Sequence, residues 1–253
     1  MDPTLAPDIV SGWIHLAALA FARVGTAVLL LPGFGETQIP PRIRIALGLV
    51  LTLSLLPILP LPAPPTQVTA LALLLGAEAA IGIFIGTGAR ILVASLHLLG
   101  ALVGMVSGLS NAFAPSQANT EGATALAALL TVAAIALIFA TDLHHMMISA
   151  ILNSYMILPP GRLPVGDMTD QIARLGAGAF QIATSMATPF LVIAVLLNLA
   201  LGLANRIMPT MQVFFVAAPG LILAGLTVFV ITLPAVLDHM MMVLSDWLLG
   251  LSR

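Results

Sequence analysis

"NLALGLANRIMPTMQVFFVAAPG", residues Asn198 to Gly220, lies in one of the most apolar parts of the chain, and its reading decides the fold. No charged residue occurs from Leu175 to Asn205 or from Ile207 to Leu237, yet Arg206 stands between the two runs. Asn198, Asn205, Pro209 and Gln212 crowd around it. Uncharged runs of this length exceed the roughly 20 residues that cross a bilayer core. In hydrocarbon every backbone amide must be paired internally, so such runs are helices or closed barrels. Continuous apolarity without alternation selects helices. Proline at 209 removes the hydrogen bond to the carbonyl of Asn205 and breaks the helix there. The stretch therefore reads as two helices joined at a polar elbow. Arg206, Asn205 and Gln212 either donate to the freed carbonyls at a buried elbow or Arg206 caps a tight turn at the membrane surface.

Working outward, the same character fills the chain. Of 253 residues, 60% are hydrophobic and 7% charged, with a mean hydropathy of +1.14. A soluble domain carries about a quarter charged residues, so this is an all-α integral membrane protein without room for a sizeable soluble domain. Further apolar segments run over Ile9–Leu31, Ile43–Leu59, Val68–Ile85, Ile91–Ser110 and Ala123–Thr141. The boundary near Arg90 leaves Val68–Ser110 as either two spans or one long bent hairpin. "LPGFGETQIPPRIR" (31–44) and "LPILPLPAPPTQ" (56–67) are proline-rich turns, "NAFAPSQANTEG" (111–122) is a small-residue loop, and "LPPGRLPVGDMTDQIAR" (158–174) is the longest polar connection.

Composition excludes several activities. There is no cysteine and no lysine, which removes thiolate, Schiff-base and P-loop chemistry. A net charge of -2 argues against nucleic acid. The acidic opening "MDPTLAPDIV" lacks the basic n-region of a cleavable signal, so the first apolar segment is expected to be retained. Arginine bias places Arg42 and Arg44, and also Arg162 and Arg174, on the cytoplasmic side, with the acidic N-terminus outside.

Several polar residues lie within or beside the apolar runs. Asp142, His144 and His145 could suggest a metal, but adjacent histidines on a helix diverge by about 100° and the His-x-x-x-His spacing is missing. They are read as polar helix-end residues, with no metal or cofactor. Glu78 and Arg90 each need a partner; twelve residues apart on one helix is about 18 Å, too far for a direct pair. No serine stands in a Gly-x-Ser-x-Gly elbow, so nothing supports a catalytic residue or an enzyme. Gly82 and Gly86, and Gly100, Gly104 and Gly108, recur every fourth residue and let another backbone come close, either within the chain or from a partner subunit.

Three blocks then carry a resemblance. "FARVGTAVLLLPGFGETQIPPRIRIALGLVLTLSLLPILP" (21–60), "DLHHMMISAILNSYMILPPG" (142–161) and "LGLANRIMPTMQVFF" (201–215) resemble, in order and at the family's length, the FliR family of flagellar type III export-gate proteins and its virulence-secretion counterparts. The likeness runs from about Leu19 to Leu233. Thr210 departs from the glutamine usual after the elbow proline, and Ala114-Pro115 from the Asp-Pro common in the central loop. The resemblance implies one FliR-type domain over residues 1–253, with long apolar hairpins packed into a helical multi-subunit gate with FliP-like and FliQ-like subunits. It also implies a non-enzymatic pore subunit at the flagellar basal body in the bacterial inner membrane. Other export-apparatus components, unfolded flagellar proteins and lipid would be its partners. The loop Gly108–Glu121, with Gly108, Asn111, Phe113, Pro115, Gln117 and Glu121, corresponds to the family's pore plug. An injectisome gate is the near alternative; a small-molecule transporter, with a ligand pocket around Arg206, Glu78 and Arg90, is the distant one.

Overall fold

The computed structural model describes residues 5–62, 65, 67–106, 125–207 and 213–251. Within them the protein is helical throughout. Helices α1 (Leu5–Leu30), α2 (Pro41–Leu55), α3 (Val68–Val106), α4 (Ala125–Ala140), α5 (Leu143–Ile157), α6 (Val165–Ile207) and α7 (Val213–Gly250) follow in order. One 3-10 turn, Leu56–Ile58, extends α2 into the proline-rich linker. Among the described residues, α1, α3, α6 and α7, and α2 together with its 3-10 extension (Pro41–Ile58), are long and apolar enough to cross a membrane, and α4 with α5, bent by 76°, could supply a sixth span.

Local chemistry explains most boundaries. Pro40 and Pro41 open α2 because a proline at the first helical position gives up a donor that has no partner anyway. Asp142, with φ of 59°, turns the chain between α4 and α5, and Gly161, with φ of 84°, does so after α5. Pro189 in α6, and Pro219 and Pro234 in α7, each remove one ladder bond without ending the helix.

Two sequence expectations change. Helix α3 runs without a break through Arg90, so Val68–Ile85 and Ile91–Val106 are one element. Arginine is itself a good helix former, so one charge splits a hydropathy run without interrupting the backbone ladder. Residues 143–157, absent from the apolar segments read from sequence, form the separate helix α5, with His144 and His145 in its first turn.

The chain divides into two compact units. The first holds Met1–Ile91, Ile138–Leu175 and Leu244–Arg253; the second holds Leu92–Leu137 and Gly176–Val243. In the first unit α1 packs on α2 where glycines meet: a Cβ on Gly48 would lie 3.4 Å from the Cα of Gly25. Helix α3 approaches α1 more closely still. A Cβ on Gly82 would run into the Thr26 hydroxyl and the Arg23 carbonyl, and one on Gly86 would stand 2.8 Å from the Ala27 carbonyl. Leu19, Val24, Val28, Ile81, Ile85, Met147 and Ile151 fill the core around these contacts. In the second unit Gly100 lies against the backbone of Ala127, within a core of Leu99, Val103, Leu130, Phe190 and Phe229. Gly82, Gly86 and Gly100 therefore meet their own chain. Gly104 is buried, and Gly108 lies outside the described residues.

Candidate functional site

The most elaborate polar arrangement in the described structure centres on Arg23, a residue the sequence reading passed over. It lies inside the apolar α1 and is fully buried, as is Glu78 on α3. Burial of two charges is costly unless geometry and hydrogen bonding compensate. Here they do. Arg23 Nε donates to Glu78 Oε2 at 2.8 Å and Nη2 to Oε1 at 3.0 Å, a bidentate fork. Nη2 also donates to the Leu158 carbonyl at 2.9 Å, and Nη1 to Ser154 Oγ at 3.2 Å. The Ser154 hydroxyl in turn donates to the Ile151 carbonyl at 2.6 Å. The guanidinium stacks 4.0 Å from the Tyr155 ring centroid, which adds a cation–π contact.

The placement has an electrostatic logic beyond the ion pair. Leu158 is the C-cap of α5, and its carbonyl is among those that a helix end leaves without an intrahelical partner. A cation there also opposes the negative end of the helix dipole. Arg23 thus fastens α1, α3 and the end of α5 together just before the Pro-Pro-Gly turn at 159–161. Glu78 obtains the partner its sequence position demanded, 55 residues away on another helix. The signal was present: Arg23 is the sole charge between Ile9 and Leu31, matched by a lone acid in Val68–Ile85. Two of the quoted sequence blocks, 21–60 and 142–161, converge at this point.

The other singled-out residues fall into three groups. Arg90 is exposed, with no ion pair among the described residues. At the elbow, Arg206 is exposed in the last turn of α6, and exposed Asn198 donates from Nδ2 to the Ala194 carbonyl at 2.8 Å. Asn205 lies within α6, while Pro209 and Gln212 lie outside the described residues, as does the whole plug stretch Gly108–Glu121. Asp142, His144 and His145 do converge, with one ligand atom from each lying within 4.8 Å of the others.

Apolar surface is also exposed. On α6, Val192, Val195, Leu196, Leu199 and Leu203 form one stripe at helical spacing. An open groove of about 450 Å³, almost wholly apolar, is lined by Ala80, Ile83 and Phe84 of α3 and by Met168 and Ile172 of α6.

Comparison with known proteins decides the family. The family described as "Bacterial export proteins, family 1" matches residues 14–247. The flagellar biosynthetic protein FliR of Caulobacter vibrioides is 37% identical, over 88% of this chain and 90% of that protein. The chain belongs to the FliR family. FliR of Pectobacterium carotovorum is 28% identical over 90% of this chain and 88% of its own length. The secretion system apparatus protein SsaT of Salmonella typhimurium is 27% identical over 94% and 97%. As a FliR-family protein this chain is an all-α membrane component of a bacterial export apparatus, and the Arg23 cluster is part of how that component holds its shape.

Proposed function

We propose that this FliR-family chain is a non-enzymatic pore subunit of the flagellar type III export gate in the inner membrane at the flagellar basal body. There it lets unfolded flagellar proteins cross. Residues 1–253 act as one gate domain that packs with FliP-like and FliQ-like subunits and meets other export components. The observation that carries the reading is the length of α3. It has 39 residues and no proline, which makes it about 58 Å long at 1.5 Å per residue. A hydrocarbon core is about 30 Å thick. Fitting the whole helix inside would need a tilt of about 60°, beyond the roughly 0–40° that spanning helices adopt. The apolar length beyond the hydrocarbon calls for cover by protein, which neighbouring gate subunits would provide where the chain's own helices do not. The exposed stripe on α6, from Val192 to Leu203, supports the same reading, because it is apolar surface for a neighbouring subunit to cover.

The loop Gly108–Glu121 serves as the plug of the closed pore, and the Arg206 elbow as a point of packing. A secretion-system gate is the second reading, favoured by the likeness to SsaT; the higher identity to a flagellar relative ranks the flagellar system first. Of the three pocket residues in the transporter reading, Glu78 is buried and engaged on both oxygens by Arg23, which speaks against its holding a ligand. Deleting the gene is expected to abolish motility and export of flagellar proteins, with both restored by the gene in trans. Normal swimming and secretion in the deletion strain would dismiss the flagellar assignment.

A further inference from the structure

The bend between α4 and α5 carries a second cluster, unconnected with the ion pair at Arg23. We propose that Asp142, His144 and His145 form a binding site for a divalent transition metal of the zinc class. The objection from sequence was that neighbouring histidines on a helix diverge. The structure removes it, because the two imidazoles lie side by side with centroids 4.1 Å apart and planes tilted by 38°. They do so at the very start of α5, beside Asp142.

Three observations bear on the ligand set. First, His145 Nδ1 and Asp142 Oδ1 are 3.5 Å apart. Donors bound at about 2.0–2.1 Å around a tetrahedral metal stand roughly 3.3–3.4 Å from one another, so this pair is already at ligand spacing. Second, the third donor lies within 4.8 Å of both. The side chains of Asp142 and His145 are 77% and 70% exposed, free to close that gap by rotation. Third, His144 Nδ1 is buried and has no hydrogen-bond partner among the described residues. Buried polar atoms are rarely left so, and an ion is one accepted reason. The His144 ring is also held from behind. Phe139 lies 5.1 Å away, and Phe34 meets Phe139 edge-on at 5.6 Å. Such outer contacts fix a ligand ring before the metal arrives.

Two imidazoles and one carboxylate match the borderline preference of Zn²⁺, with Ni²⁺ and Cu²⁺ as competitors. Three protein donors leave a fourth position for water or for a group from another subunit. The site would pin the α4–α5 bend.

The test uses the full chain, purified without a polyhistidine tag together with whatever membrane subunits accompany it, stripped by chelator and titrated with ZnCl₂. Saturable binding of one Zn²⁺ per chain is expected. Asp142→Asn and His145→Gln should each weaken it at least about tenfold, the lower end of what even outer-shell losses cost. Both residues are exposed, so unchanged thermal melting of the metal-free variants is expected. Cobalt offers an independent readout: a visible band of four-coordinate Co²⁺ should appear in the parent and fade in both variants. Absence of saturable zinc binding, or binding and cobalt spectra that both substitutions leave unchanged, would overturn the proposal.

Discussion

The buried pair at Arg23 permits a quantitative test. Changing Glu78→Leu leaves a buried guanidinium without its carboxylate, and Arg23→Met strands the carboxylate. Removing one member of a buried pair costs about 3–5 kcal/mol, because the survivor remains charged and dry. Arg23→Met further forfeits the bonds to Leu158 and Ser154, roughly 1 kcal/mol each, and the Tyr155 contact, roughly 0.5–2 kcal/mol. If the two losses were independent, the double variant would be destabilised by about 8–14 kcal/mol, more than many domains possess in total. It should be far milder. With both charges gone, the remaining deficits are the bonds to Ser154 and Leu158, roughly 1 kcal/mol each, and the Tyr155 contact, roughly 0.5–2 kcal/mol. The double variant should therefore be destabilised by about 2–4 kcal/mol, giving a coupling energy of at least about 3 kcal/mol. Denaturation of the four purified proteins in one mild detergent, followed by circular dichroism, measures it. Single-variant costs that simply add, to within about 0.5 kcal/mol, would refute the claim that the two charges compensate each other.

Three other outcomes follow from the same structure. Gly82→Ala should destabilise by about 1–3 kcal/mol because the new methyl meets the Thr26 hydroxyl and Arg23 carbonyl. Gly76→Ala, on the same helix with nothing within 4 Å, should be neutral or stabilising by up to about 1 kcal/mol; similar melting shifts for both would contradict the packing. Shortening Asn111–Thr120 should make cells carrying the assembled gate leak small ions, and intact permeability with a verified gate would remove the plug role. Arg206→Ala should reduce recovery of the assembled complex more than membrane insertion, since losing a charge makes insertion cheaper by roughly 2.5–3.5 kcal/mol. Unimpaired assembly on affinity purification would leave the elbow without a packing role.

Sequence alone settled what depends on composition and local chain chemistry. Long uncharged runs dictate helices because hydrocarbon offers no partner to a free amide. The family was legible as well, since ordered motifs survive without knowledge of their contacts. What sequence left open was decided by which helix faces meet. Arg23 and Glu78 are each a lone charge in a greasy run, and no local window reveals that they face one another across 55 residues. The same holds for Gly82, Gly86 and Gly100, whose spacing announces a close approach without naming what approaches. Continuity of α3 through Arg90 was hidden for another reason: one charge divides a hydropathy run, but arginine is a good helix former and interrupts no backbone ladder. Hydropathy is a property of a segment, but pairing is a property of two surfaces, and only the packed structure brings the second surface into view.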